Sequence, residues 1–321
     1  MRKHKYQSFF FLFILLLIFQ ACSSENPTSV ENRDQNPDDG EITLQDIQII
    51  DNEITRIMST YSIPGSAVAI SKNGKMVYMK GYGLADAEDN EEMNENHVFR
   101  VASISKTFTG AAIMHLIQNG NLSMDQKLFG EGSIFGNRFL NGLYGDDLLK
   151  LRVRHLLHHT SGGWGGRSGG DPIDYQPDLN DEDFIQYVLE NWPLAHEPGD
   201  QFVYSNMGYY LLARIIEEVS GKSYPDYLEK DLLADLQLPT LHVTNFDLDD
   251  RQPNEVEYHG QGQDQQYIYT IADRRDGDAG VVISASDLLK FVNAIDGFSS
   301  RPDILNADIR DLFTTSPPTN T

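Results

Sequence analysis

Residues 66–83, SAVAISKNGKMVYMKGYG, constrain the fold more than any other stretch of the chain. Two runs of apolar and β-branched residues meet at Asn73-Gly74, the strongest short signal for a hairpin turn. An antiparallel strand pair is therefore expected near the start of the fold. Before it, Ile47, Ile50, Ile54 and Met58 recur at helical spacing, which predicts a helix from Leu44 to about Tyr61, stopped by Pro64-Gly65. After it, Ser103 opens a second predicted helix with Ile104, Phe108, Ala112 and Leu116 along one face, closed by Gly120. The middle of the chain reads as helix and loop. LLKLRVRHLL runs into the Gly-rich HHTSGGWGGRSGGDP, and DEDFIQYVLENW, GYYLLARIIEEVSG and YPDYLEKDLLADL each read as helices. Gly280–Ile283 suits a short strand, and SASDLLKFVNAI a helix behind a Ser-Ala-Ser-Asp cap. This order predicts the α+β class, an antiparallel sheet flanked by helices with a mostly helical region inserted beside it.

At 321 residues the chain can bury a sizeable core. Its first residues are a targeting segment. Arg2, Lys3 and Lys5 form a positive start, and Phe9–Phe19 is an apolar run too short to span a bilayer. The run ends at Phe19-Gln20-Ala21-Cys22, which resembles a bacterial lipobox, with Cys22 as the residue that takes the lipid. Residues 1–22 are thus expected to be a lipoprotein signal peptide, and the polar, acidic residues 23–43 a flexible linker. Cys22 is the only cysteine, so no internal disulfide is expected. The balance of 48 Asp+Glu against 25 Lys+Arg repels phosphate backbones and anionic headgroups. Nucleic acid is excluded as a partner, and any membrane attachment should be covalent, through a lipid anchor. No sequence signal bears on oligomeric state.

The chemistry starts at Ser103-Ile104-Ser105-Lys106, which sets a hydroxyl and an amine at i and i+3 on one helix face. A serine becomes a nucleophile when a neighbour takes its proton, and an amine in a dry cleft can do that. The helix N-terminus adds a partial positive charge and a backbone N–H for a developing oxyanion. A bare S-x-x-K arises about once by chance in a chain of this length. A second element, Tyr204-Ser205-Asn206, lies just before a predicted helix; the tyrosine can shuttle a proton and the asparagine can bind a substrate amide. His155, His158 and His159 have helical spacing, yet no carboxylate stands near them in the sequence, and no metal is expected. No phosphate-binding loop or G-x-S-x-G elbow occurs.

Taken with IPGSAVAI, KGYG, FRVASISKTFTG, LRVRHLLHHTSGG, EPGDQFVYSNMGYYLLARIIEEVSG and DAGVVISASDLLKF, in that order, these motifs carry a resemblance. From about Leu44 to the C-terminus the chain resembles class C β-lactamases and their relatives: D,D-peptidases, D-aminopeptidases and β-lactamase-fold esterases. The resemblance implies a β-lactamase/transpeptidase-like fold over 44–321 and acyl transfer to water without a cofactor. It makes Ser103 the acylated nucleophile, Lys106 and Tyr204 its proton handlers and Asn206 a substrate-binding residue, with Ser105 a bystander. A D-amino-acid peptide, a β-lactam and a small ester all remain open as substrates.

The family's third motif, Lys-Thr-Gly or His-x-Gly on a strand near the C-terminus, is not found. His259-Gly260-Gln261-Gly262 does not fit it and comes too early. The expectation is a C-terminally incomplete domain lacking its last sheet strands, and losing one oxyanion donor costs on the order of 10²–10³ in turnover. The alternative is a lipid-anchored binding protein that keeps the fold without turnover.

Overall fold

In the computed structural model the residues described are 42–165, 170–244, 251–259 and 274–315. The expected targeting segment with Cys22, the expected linker up to residue 41, and Gly260–Gly262 lie outside them.

Helix α1 (Leu44–Tyr61) begins at a capping box in which Thr43 and Asp46 satisfy each other's backbone N–H, and ends where Ser62 turns left-handed. The hairpin follows as β1 (Gly65–Lys72) and β2 (Lys75–Asp86), paired antiparallel with a bulge between Ile70 and Ser71. Asn73 (φ 52°) and Gly74 (φ 72°) both take the left-handed conformation that a two-residue turn of this hand demands. The two-residue strand β3 (Glu91–Glu92) completes this three-stranded sheet in the order β1-β2-β3. Helix α1 is pinned to the hairpin by Asp51, whose carboxylate accepts from the Tyr78 and Tyr82 hydroxyls at 2.5 and 2.7 Å and from Lys80 at 2.9 Å. Those donors pull the Asp51 carboxyl down to about 2.

A second antiparallel sheet is built from short strands distant in sequence: β4 (Val98–Arg100), β5 (His242–Val243) and β6 (Val281–Ser284), with β6 central. Its core strand is wholly buried, as its unbroken Val-Val-Ile run anticipates. Helix α2 (Ser105–Gln118) leaves this sheet and runs through the middle of the hydrophobic core, with Phe108, Ala111, Ala112 and Ile113 all fully buried. Phe108 stacks on Phe291 of α8 (Ala285–Asn293) at 4.0 Å, and α8 also lies against β1, so α2 and the first sheet share one support.

The helical region comprises the short α3 (Asp146–Lys150) and α4 (Val153–Leu157), then α5 (Asp181–Asn191) and α6 (Asn206–Ser220). Helix α6 packs on α2 and is closed by left-handed Gly221. The single helix expected over YPDYLEKDLLADL is instead three pieces: a four-residue α7 (Tyr224–Tyr227), a π-wound turn at Leu228–Leu232 and a 3-10 turn at Ala234–Leu236. Burying Tyr224, Tyr227, Leu228, Leu232, Leu233 and Leu236 together demands more of the circumference than one α-helical stripe presents, and the extra residue per turn supplies it. Helix α9 (Ala307–Thr314) lies beyond the last element read from the sequence; Phe313 from it covers Gly110 of α2.

Candidate active site

Ser103 sits on a 3-10 turn (Ala102–Ile104) between β4 and α2, so it precedes the α-helix it was expected to open. Ala102 before it holds φ at 46°, a left-handed conformation that a residue with a Cβ enters at a cost of about 1–2 kcal/mol. The surroundings over-determine that turn. Val101 donates its N–H to the Val281 carbonyl at 3.0 Å, and the fully buried Ser105 hydroxyl accepts the Val281 N–H at 3.0 Å. Ser105 is therefore no bystander in structure: it ties the start of α2 to β6. The result is an exposed Ser103 on a rigid corner, with Lys106, 7% exposed, one turn behind it.

Lys106 extends its Nζ to three acceptors: Ser103 Oγ at 3.2 Å, Asn206 Oδ1 at 2.8 Å and the Asp278 carbonyl at 2.9 Å. The Tyr204 hydroxyl donates to Ser103 Oγ at 2.9 Å. The four residues singled out in the sequence are thus brought within hydrogen-bonding reach of one another across about a hundred residues of chain. Lys106 Nζ also lies 5.1 Å from the Tyr204 ring centre and 5.6 Å from that of Tyr209, so aromatic faces complete its cage.

Three features hold Tyr204 in place, and the sequence reading assigned none of them. The His159 ring packs at a tilt against Tyr204 at 4.4 Å and against Tyr209 at 5.0 Å, and its Nδ1 accepts the Ser205 N–H at 3.1 Å. Burial, with the Lys106 charge adding to it, pushes His159 down to about 4, so it is a neutral acceptor at physiological pH. His155 turns away to accept the Arg152 N–H at 3.3 Å; the histidine triplet separates into different local tasks. Gly165 lies under the Tyr204 backbone, where a Cβ would come 2.0 Å from the Tyr204 carbonyl oxygen. Asp171 accepts the N–H groups of Asn206 at 2.5 Å and Met207 at 3.2 Å, satisfying the start of α6 alongside the Ser205 cap. Burial pushes the Asp171 carboxyl up to about 6 against these hydrogen bonds. The signal for all three residues was the HTSGG…GGD loop itself, whose glycines the sequence suggests as a rim near the cleft.

A serine hydroxyl, a tyrosine and a caged lysine on rigid elements can activate an oxygen nucleophile at an exposed corner. A sequence model of the Beta-lactamase family matches residues 50–321. The chain belongs to the Beta-lactamase family. It is 31% identical over 208 residues to Protein flp of Staphylococcus aureus strain MW2, an alignment covering 64% of this chain and 40% of that protein. To a beta-lactamase of Pseudomonas fluorescens it is 24% identical over 248 residues, covering 76% of this chain and 63% of the relative. Among solved structures, the octameric penicillin-binding protein homologue from Pyrococcus abyssi superposes with TM-score 0.63 at 27% identity, over 83% of this chain and 59% of that one. A class C beta lactamase superposes with TM-score 0.60 at 26% identity, over 84% and 68% of the two chains. The D-alanine carboxypeptidase AmpC from Burkholderia cenocepacia, at 20% identity and TM-score 0.61, shares the fold. The chain spans about two fifths of Protein flp and under two thirds of the Pyrococcus homologue. The β-lactamase/transpeptidase-like α+β fold expected from the motifs is the fold observed.

Proposed function

We propose that this member of the Beta-lactamase family is a serine hydrolase that works through an acyl-enzyme on Ser103. The observation that carries the reading is the convergence on one Oγ of the Tyr204 hydroxyl at 2.9 Å and the Lys106 amine at 3.2 Å. Those two groups are the ones within reach to take the Ser103 proton as Oγ bonds to a carbonyl carbon. The bond to the leaving nitrogen or oxygen then breaks, and the same relay returns a proton to it. Water next adds to the acyl carbon and releases the acid, restoring Ser103. The Ser103 N–H, among the first of its helical segment and so without an intrahelical acceptor, is suited to the oxyanion. Asn206 accepts from Lys106 on Oδ1 and keeps its NH₂ for a substrate acyl group. Relatives called beta-lactamase, penicillin-binding protein homologue and D-alanine carboxypeptidase favour an amide or ester with a D-amino-acid, β-lactam or simple acyl part. Export to the cell envelope and lipidation at Cys22 belong to the same reading; their support is the positive start, apolar run and Ala21-Cys22 junction.

The test is intact-mass analysis after mixing with a p-nitrophenyl ester and with a chromogenic cephalosporin. We expect an acyl adduct on the parent and none on Ser103→Ala, with turnover falling at least about 10³-fold. A folded parent with neither adduct nor turnover would overturn the proposal in favour of a binding protein.

A further inference from the structure

Lys106 has a partner that neither motif contains. Beside the Asp278 carbonyl that accepts from Nζ, the Asp278 carboxylate brings Oδ2 to 3.6 Å from the same nitrogen. That carboxylate is fully buried, yet it is not left to Lys106 alone. Arg275 grips it from the other side, with Nε at 2.9 and 3.0 Å from its two oxygens and Nη2 at 2.7 Å from Oδ2. Arg275, itself 9% exposed, reaches outward with Nη1 to Asp174 at 2.8 Å. Charges therefore alternate along a line from the cleft to the surface: Lys106, Asp278, Arg275, Asp174.

An unpaired buried carboxylate touching an ammonium would hold its proton on the amine strongly, because nothing else neutralises the anion. A two-pronged guanidinium takes most of that demand, since Arg keeps its charge and matches both oxygens. We infer that Asp278 is the positioning residue of Lys106, and that Arg275 sets how firmly it holds the lysine proton. The proposal rests on the hydrolase reading for its consequence, since a lysine bound too firmly cannot take part in proton transfer. Among the described residues, the other titratable or charged groups facing the pair are Tyr204, His159, Tyr209, Tyr224, Asp171, Asp174 and Asp276. All are kept in the variants below.

The two partners predict effects of opposite sign, which general loosening of the fold cannot produce. Removing the anion in Asp278→Asn should free the amine; removing the competing cation in Arg275→Gln should leave the anion to Lys106 and mask it. The readout is the rate of reductive methylation of Lys106 by formaldehyde with cyanoborohydride as the hydride donor at fixed pH, followed by peptide mass with Lys150 and Lys230 as surface references. Relative to those references, the expected rate is on the order of tenfold higher in Asp278→Asn and severalfold lower in Arg275→Gln. Equal rates in parent and variants, or acceleration in both, overturn the proposal. Should Asp278→Asn fail to fold, the slowing in Arg275→Gln decides alone, because a loosened structure would methylate faster. Ester turnover is measured on the same parent sample. Methylation rates that move as stated in a parent without adduct or turnover sink the hydrolase reading and leave the Asp278 assignment standing. Unchanged rates in an active parent do the reverse.

Discussion

His159 holds Tyr204 by a ring face and the following backbone by one nitrogen, and the second job requires the neutral ring. Its native value of about 4 against an ordinary 6.5 fixes the sign of a pH effect. A depressed histidine stabilises the fold above pH 6.5, and that contribution is lost as pH falls from 6.5 toward 4. Asp171 works in the opposite sense, since its raised value favours the fold in acid and that contribution is lost as pH rises through about 6. Comparing the parent with His159→Phe cancels Asp171 and isolates the histidine. At pH 7.5 the variant should be less stable by about 1–3 kcal/mol, because the Ser205 N–H loses its buried acceptor while the ring contact survives. In urea melts repeated down to pH 4, that gap should shrink by about 3 kcal/mol, enough to close or reverse it. A gap that widens in acid would show that His159 is charged in the native protein.

Capping is the decisive interaction at the scale of elements. Helix α6 carries Asn206 on its first turn, and two of that turn's N–H groups end on Asp171. Asp171→Ala should cost about 1–2 kcal/mol and let the first turn fray. Turnover should fall by more than the loss of folded protein explains, because Asn206 and Tyr204 move with that turn. Equal losses in a thermal melt and in initial rates would reduce Asp171 to a purely structural cap. These elements also show what the sequence could reveal. Helix α1, the Asn73-Gly74 hairpin and the Ser284 cap rest on local signals a few residues long, and all were legible. Ser103, Lys106, Tyr204 and Asn206 were legible because two short motifs fall in a family order. Asp171 and Asp278 were not, since an acidic residue in a loop looks solvated until the fold places it 35 residues from a helix start or 172 from a lysine. The broken helix over Tyr224–Leu236 was missed for a related reason: tertiary burial, not helix propensity, sets its winding.

The whole molecule carries a net charge of −23, and this bears on the proposed lipid anchor. A single acyl chain gives only marginal, reversible binding, and stable anchoring takes a second acyl chain or a basic patch. Residues 23–43 supply Glu25, Glu31, Asp34, Asp38, Asp39 and Glu41 against Arg33, so an electrostatic second signal is ruled out by sign. If Cys22 is the anchor, it must then carry at least two acyl chains, and salt must be irrelevant to retention. Cells expressing the full chain should keep the parent in the membrane fraction through a wash at about 1 M salt, where the Debye length has shrunk to about 3 Å. Detergent should release it, and the N-terminal peptide mass should show at least two fatty acyl groups on a residue numbered 22. Cys22→Ala should abolish the acyl mass and move the protein out of the salt-resistant membrane fraction. Parent protein that salt washes off, or an unacylated N-terminus, would remove the anchor and leave ordinary export; the proposed chemistry at Ser103 depends on neither.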